Sequence, residues 1–142
     1  MKVLLAAALA VLAWVFSNGA WAGPACADFL RAGAEPPQVL EFVGCESAPQ
    51  EQGAPLTATY RVEGRHAQAV ERYLQRLTGD MSDLKFACCG WETQGSSAYR
   101  DPASGRQYQL GMGSEETPYN RREDWDKIGY FHVRVVLYTE EP

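Results

Sequence analysis

Histidine is scarce in this 142-residue chain: there are two, His66 and His132. Neither sits in a recognisable nucleophile turn, and no G-x-S-x-G, H-E-x-x-H or Walker motif occurs. Basic runs are missing as well, with 13 Lys and Arg against 18 Asp and Glu and a formal net charge of −5. Phosphate neutralisation needs clustered cations, so nucleic-acid binding is excluded as a reading. The same acidity disfavours adsorption to anionic lipid. There is no paired C-x-x-C and no histidine at ligand spacing, which leaves no zinc site and no indicated metal or cofactor. Isoleucine occurs once, and the longest uncharged apolar run, residues 3–16, is shorter than the roughly 20 residues a spanning helix needs.

That run has a meaning of its own. Lys2 precedes it, and Ala20-Trp21-Ala22 follows as a small-x-small pattern ahead of Gly23-Pro24. A basic start, an apolar stretch and A-x-A describe a secretory signal peptide, with cleavage expected after Ala22. Gly23-Pro24 ahead of Cys26 suits a lipidation box badly. The expectation is an exported, periplasmic protein without stable membrane insertion, whose residues 23–142 form a single domain. Without Lys2 that domain carries 12 basic against 18 acidic residues.

Four cysteines, Cys26, Cys45, Cys88 and Cys89, make an even set. In an oxidising compartment such a set favours disulfides. Three pairings exist, one of them the strained ring between the adjacent Cys88 and Cys89. Adjacent strand residues point to opposite faces. The spacing therefore favours a two-way staple, in which Cys26 and Cys45 each reach one member of the pair. A redox-active Cys88–Cys89 pair is the functional alternative.

Pattern supplies the elements. Residues 24–34 read as a short helix, opened by Pro24 and stopped by Pro36-Pro37. Residues 38–46 and 56–63 read as two antiparallel strands, the second alternating Leu56, Ala58, Tyr60, Val62 with polar partners. Ala67, Val70, Leu74 and Leu77 make the apolar stripe of the main helix. Gln68, Glu71, Arg72, Gln75 and Arg76 are assigned to its polar side, and Gly79 to its C-cap. Residues 84–91 read as a strand carrying the cysteine pair. Asp101-Pro102-Ala103-Ser104-Gly105 reads as a hairpin turn leading to the strand through Tyr108, Leu110 and Met112. Gly111 and Gly113 on that strand leave room for a close approach. Residues 128–139 alternate Phe131, Val133, Val135 and Leu137 inward with His132 and Arg134 outward. The order implies a disulfide-stapled α+β two-layer sandwich: an antiparallel sheet of about five or six strands, one main amphipathic helix and a short N-terminal helix.

Residues 114–125 form a long connection dense in both charges and in large aromatics. Long loops in compact domains are often binding elements, and Tyr, Trp and Arg dominate interface hot spots. Glu115, Glu116, Tyr119, Arg121, Arg122 and Trp125 are therefore the candidate partner-binding residues. An acidic surface can be steered into a basic cleft. The leading expectation is a non-enzymatic binding protein, an inhibitor or immunity-type partner of a toxin or hydrolase in the cell envelope. The alternatives are a small hydrolase using His132 or His66 with Ser114 or an acidic residue, and a thiol-redox protein using Cys88-Cys89.

Several scattered motifs occur together: Cys26-x-Asp28-Phe29-Leu30, Phe42-x-x-Cys45, Cys88-Cys89-Gly90-Trp91, Met112-x-Ser114-x-Glu116-Thr117 and Phe131-x-Val133-x-Val135-x-x-Tyr138. In this combination the sequence resembles the bacterial family of domain of unknown function 4952, across residues 26–142. The resemblance implies a small exported protein, one compact domain with a cysteine staple, and no assigned activity.

Overall fold

The computed structural model describes residues 23–141. The expected signal peptide and its cleavage after Ala22 therefore fall outside, or at the very edge of, the described residues. In chain order the elements are β1 (Glu41–Ser47), β2 (Pro55–Glu63), α1 (Gly64–Thr78), β3 (Lys85–Ala87), β4 (Gly90–Glu92), β5 (Ser97–Arg100), β6 (Gln107–Ser114), a 3₁₀ helix (Arg122–Lys127) and β7 (Tyr130–Tyr138). The seven strands form one antiparallel sheet in the order β1-β2-β7-β6-β4-β3, with β5 also paired to β6. No helix among the described residues is long and apolar enough to cross a membrane.

Alternation decides which way the sheet faces. On β2 and β7, Tyr60 pairs with Val133, Ala58 with Val135 and Val62 with Phe131, and all six side chains are buried. Tyr108, Leu110 and Met112 extend this inner face along β6. Onto it pack Ala67, Val70, Tyr73 and Leu74 of α1, which β2 enters without a connecting loop. Gly64 stands at that junction because a side chain there would overlap the carbonyl oxygens of Trp125 and Ile128. At the other end Gly79, left-handed at φ 76°, donates its N–H to the Gln75 carbonyl and closes the helix. The architecture is the expected one, helix on sheet with one strand more than anticipated.

Two local expectations are corrected. Residues 24–34 do not form a helix; 29–33 fold as turns, with one helix-like bond from Ala34 N–H to the Leu30 carbonyl at 2.9 Å. The segment's polar groups are committed to the sheet instead: the Tyr60 hydroxyl donates to Asp28 at 2.7 Å and accepts from Leu30 N–H at 3.1 Å. Burial, with that bond to Asp28, raises the Tyr60 hydroxyl well above its ordinary pKa. The second correction is Glu71, read above as part of the polar face of α1. It is 2% exposed.

Among the described residues, the opposite face of the sheet has no covering layer. Thr57, Thr59 and Arg61 of β2, His132 and Arg134 of β7, and Gln109, Gly111 and Gly113 of β6 lie there in register.

Candidate functional site

The cysteine pair lies in a turn. Ala87 pairs with Gly90, so Cys88 and Cys89 are the two central residues of a tight hairpin. Cys88 takes φ +53°, and Cys89 N–H donates back to the Ala87 carbonyl at 2.6 Å. The disulfides are Cys26–Cys45 and Cys88–Cys89, which overturns the expected two-way staple. Strand order supplies the reason. Cys45 is on one edge strand, β1, and the hairpin is at the opposite edge, five strand spacings away. At about 4.8 Å each those steps span roughly 24 Å, beyond any disulfide. Cys26–Cys45 ties the N-terminal segment to β1 across a Cα–Cα distance of 5.5 Å.

The charged connection after β6 folds against this hairpin. Thr117 N–H donates to the Cys89 carbonyl at 2.8 Å, and the Trp91 indole N–H donates to the Tyr119 carbonyl at 2.9 Å. Glu115 bends back onto its own domain, its carboxylate accepting from Gly129 N–H at 3.0 Å and Tyr130 N–H at 3.4 Å. The six candidate residues then divide. Trp125 is only 4% exposed and contacts Trp91 and Phe131 at centroid distances of 5.1 and 4.8 Å, so it belongs to the core and not to a partner surface. Arg122 is likewise turned inward, donating to both carboxylate oxygens of Glu71 at 2.8 and 2.7 Å and to the Leu84 carbonyl at 3.1 Å. Its guanidinium lies 4.6 Å above the Trp125 ring. That hydrogen-bonded carboxylate raises the Arg122 pKa further. Glu115 is exposed but has its backbone-capping role.

Glu116, Tyr119 and Arg121 remain outward. Tyr119 is 37% exposed, with the Lys127 ammonium 5.6 Å over its ring. Lys127 in turn hydrogen-bonds Asp124 at 2.8 Å and holds that carboxyl below its usual range. Arg121 pairs with Glu123. Beside these residues a hollow of about 310 Å³ is lined by Cys88, Cys89, Trp91, Ser114 and Glu116. Hairpin tip and loop thus form one continuous surface at the β3–β4 end of the sheet. The sequence named both halves, but not their junction.

Nothing in this surface resembles a nucleophile poised for attack. Ser114 Oγ accepts from Trp91 N–H at 2.9 Å and donates to the Glu115 carbonyl at 2.7 Å, so its proton is engaged by backbone. His132 stands outward on β7, and His66 is half-buried on α1 beside a separate hollow with Arg61 and Tyr130. Among the described residues neither imidazole hydrogen-bonds a serine or a carboxylate, and no group of three or more His, Cys, Asp or Glu is placed to hold a metal ion.

A family model described as domain of unknown function (DUF4952) matches residues 18–91, just over half of the chain. The matched segment takes in the Cys26 and Cys45 motifs and ends on the Trp91 of Cys88-Cys89-Gly90-Trp91. The loop at 114–125 and β7 lie beyond it. No curated protein and no solved structure matches. Through that segment, from the N-terminal tether to the cysteine hairpin, the chain belongs to the DUF4952 family.

Proposed function

We propose that this chain is an exported, periplasmic, non-enzymatic binding module that holds a protein partner in the cell envelope, as an inhibitor or immunity protein does. The observation that carries the reading is the fixed presentation of Tyr119. Its backbone is held by the buried Trp91 indole while its ring stays partly in solvent under the Lys127 ammonium, with Glu116 and Arg121 also outward in the same loop. A preordered aromatic flanked by charges binds without the cost of ordering a mobile loop. The 12 basic against 18 acidic residues of the exported domain suit steering toward a basic surface.

The test places a photo-crosslinking residue at Tyr119 and exposes the mature protein to envelope extract. The expected result is one crosslinked protein, also captured by the uncrosslinked chain and lost with Glu116→Lys plus Arg121→Glu. Crosslinks that are scattered, or unchanged by the charge reversal, refute this surface as the site. Recovery of the protein in the cytoplasmic fraction of cells refutes the compartment.

A second reading, thiol–disulfide exchange, is favoured by the solvent exposure of both Cys88 and Cys89. It requires that an envelope dithiol reductant open this bond while Cys26–Cys45, partly packed against the core, stays closed. Thiol counting by intact mass after graded reduction decides it.

A further inference from the structure

The uncovered face of the sheet contains a concavity of about 480 Å³. We propose that this groove binds a small amphipathic carboxylate, with Arg134 as the group that receives the anion.

The groove arises from two glycines and a short arch. A side chain on Gly113 would press on the Trp91 carbonyl at 3.0 Å, and one on Gly111 on the Thr93 hydroxyl at 3.3 Å. At both positions β4 and the residue after it approach closely alongside β6, and the bare glycines leave a trough in the middle of a sheet. The arch at 93–96 walls one side. On the other side stand the outward residues of β7, where Arg134 pairs with Gly111 and His132 with Gly113.

Arg134 is the open valence of this surface. It is exposed, and among the described residues it makes no ion pair and no side-chain hydrogen bond. Its diagonal neighbour Arg61 is already committed to Glu41 through two bonds of 2.8 and 3.2 Å. On the β2 side Arg134 pairs with Thr59, which offers no charge. A guanidinium so placed presents a planar fork of donors, the geometry that receives a carboxylate. Two further donors face the same trough. Thr93 Oγ1 accepts Met112 N–H at 3.2 Å, which leaves its own proton free, and Gln109 lines the groove.

Charge then fixes the ligand's direction. Glu92, paired with Gly113, puts an acid at the His132 end. The opposite end is apolar: Val136 and Tyr138 follow Arg134 along β7, and Tyr138 is 39% exposed. From the Arg134 row to the Tyr138 row is about 13 Å along the strand. A carboxylate seated on Arg134 with a hydrocarbon body laid toward Tyr138 avoids Glu92 and covers the apolar end. The concavity falls within the size range of small-molecule sites, roughly 300–1,000 Å³.

The experiment is an amide NMR titration of the folded protein with octanoate below its micelle concentration, and with octanol as the uncharged counterpart. Saturable shifts are expected at Thr93, Gly111 and Gly113 with octanoate, with binding at least about tenfold weaker for octanol. Arg134→Gln, a substitution at an exposed position, should weaken octanoate about tenfold or more while leaving the rest of the spectrum in place. Arg134→Lys should recover part of that loss. Absence of saturable shifts overturns the proposal, as does equal binding of octanol or undiminished binding by Arg134→Gln. Retained octanoate binding in Glu116→Lys/Arg121→Glu is also expected; its loss would overturn the separation of this groove from the hairpin–loop surface.

Discussion

Removing Arg122 should cost the protein more than removing any other surface-reaching cation, because of what it leaves behind. The Glu71 side chain is 3% exposed, while that of Arg122 is 35% exposed. The Glu71 carboxylate accepts from both guanidinium Nη atoms and from Leu84 N–H at 2.7 Å. Arg122→Ala strands that carboxylate in the core with one backbone donor. Stripping one partner from a buried pair costs about 3–5 kcal/mol. Here the open side of Arg122 lets water replace part of its contact, so about 3 kcal/mol is expected. Loss of the stacking over Trp125 adds roughly 0.5–1 kcal/mol. For a domain of this size the sum lowers Tm by roughly 10–20 °C. Chemical denaturation followed by circular dichroism gives the free energy, and thermal scans give Tm. Glu71→Gln keeps an acceptor for Leu84 and should cost less, about 1–2 kcal/mol. In the double variant Glu71→Gln/Arg122→Ala the two losses should fall short of additivity by at least about 1 kcal/mol. An Arg122→Ala loss below about 1 kcal/mol, or strict additivity, would show that the pair behaves as an ordinary surface contact and refute the reasoning.

The two disulfides should behave oppositely. Cys26–Cys45 closes a separation of 19 residues, so the paired serine variant should lose about 3 kcal/mol in denaturant titration. Cys88–Cys89 closes no loop beyond its own ring, and its serine variant should lose far less; the reverse order would contradict the chain-entropy argument. The hairpin turn after β5 gives a pH test. Asp101 accepts from the Ser104 hydroxyl at 2.5 Å and from Ala103 and Ser104 N–H at 3.2 and 3.1 Å, and these bonds hold its carboxyl below the ordinary 3.8. A lowered folded-state pKa stabilises above the unfolded value and is lost as pH falls through the folded one. Asp101→Asn should therefore be less stable than wild type at neutral pH; the gap should begin to narrow below about 3.8 and close as pH falls through the lower folded-state value. A gap independent of pH assigns the loss to turn geometry alone.

The strands β2, β6 and β7 and the main helix were legible because each writes its period into the sequence over eight residues or more. Leu56, Ala58, Tyr60 and Val62 can alternate only as a half-buried strand, and they are buried as the pattern requires. The misreadings fall where the signal is short. Residues 84–91 look like one strand of eight, and only three-residue strands flank the turn. Cys-Cys-Gly carries no periodic information, so adjacency alone could not tell a strand's two faces from the two central residues of a hairpin. Likewise Pro24 permits a helix over 24–34, yet the Tyr60 hydroxyl, thirty residues on, takes the Leu30 N–H.

The loop at 114–125 was ambiguous for a deeper reason. Trp and Arg supply interface hot spots, and the same large, partly polar side chains also finish the edge of a core. Which role each takes depends on whether the fold holds a partner for it. For Arg122 that partner was visible in the helix pattern. Glu71 lies four residues after Ala67 and three before Leu74, within the apolar arc and not opposite it. A carboxylate in that arc must either break the stripe or find a cation from elsewhere in the chain. The doubled arginine at 121–122 opens the 3₁₀ helix that packs against the same helix. One of the two goes in to Glu71, and the other stays out with Glu123. Trp125 then fills the space beneath Arg122, edge-to-face against Trp91. With those two residues committed inward, the outward candidates of the loop contract to Glu116, Tyr119 and Arg121, beside the Cys88–Cys89 turn. The buried half of the loop, through Arg122 on Glu71 and the Trp91 indole on the Tyr119 carbonyl, is what fixes where the exposed half lies.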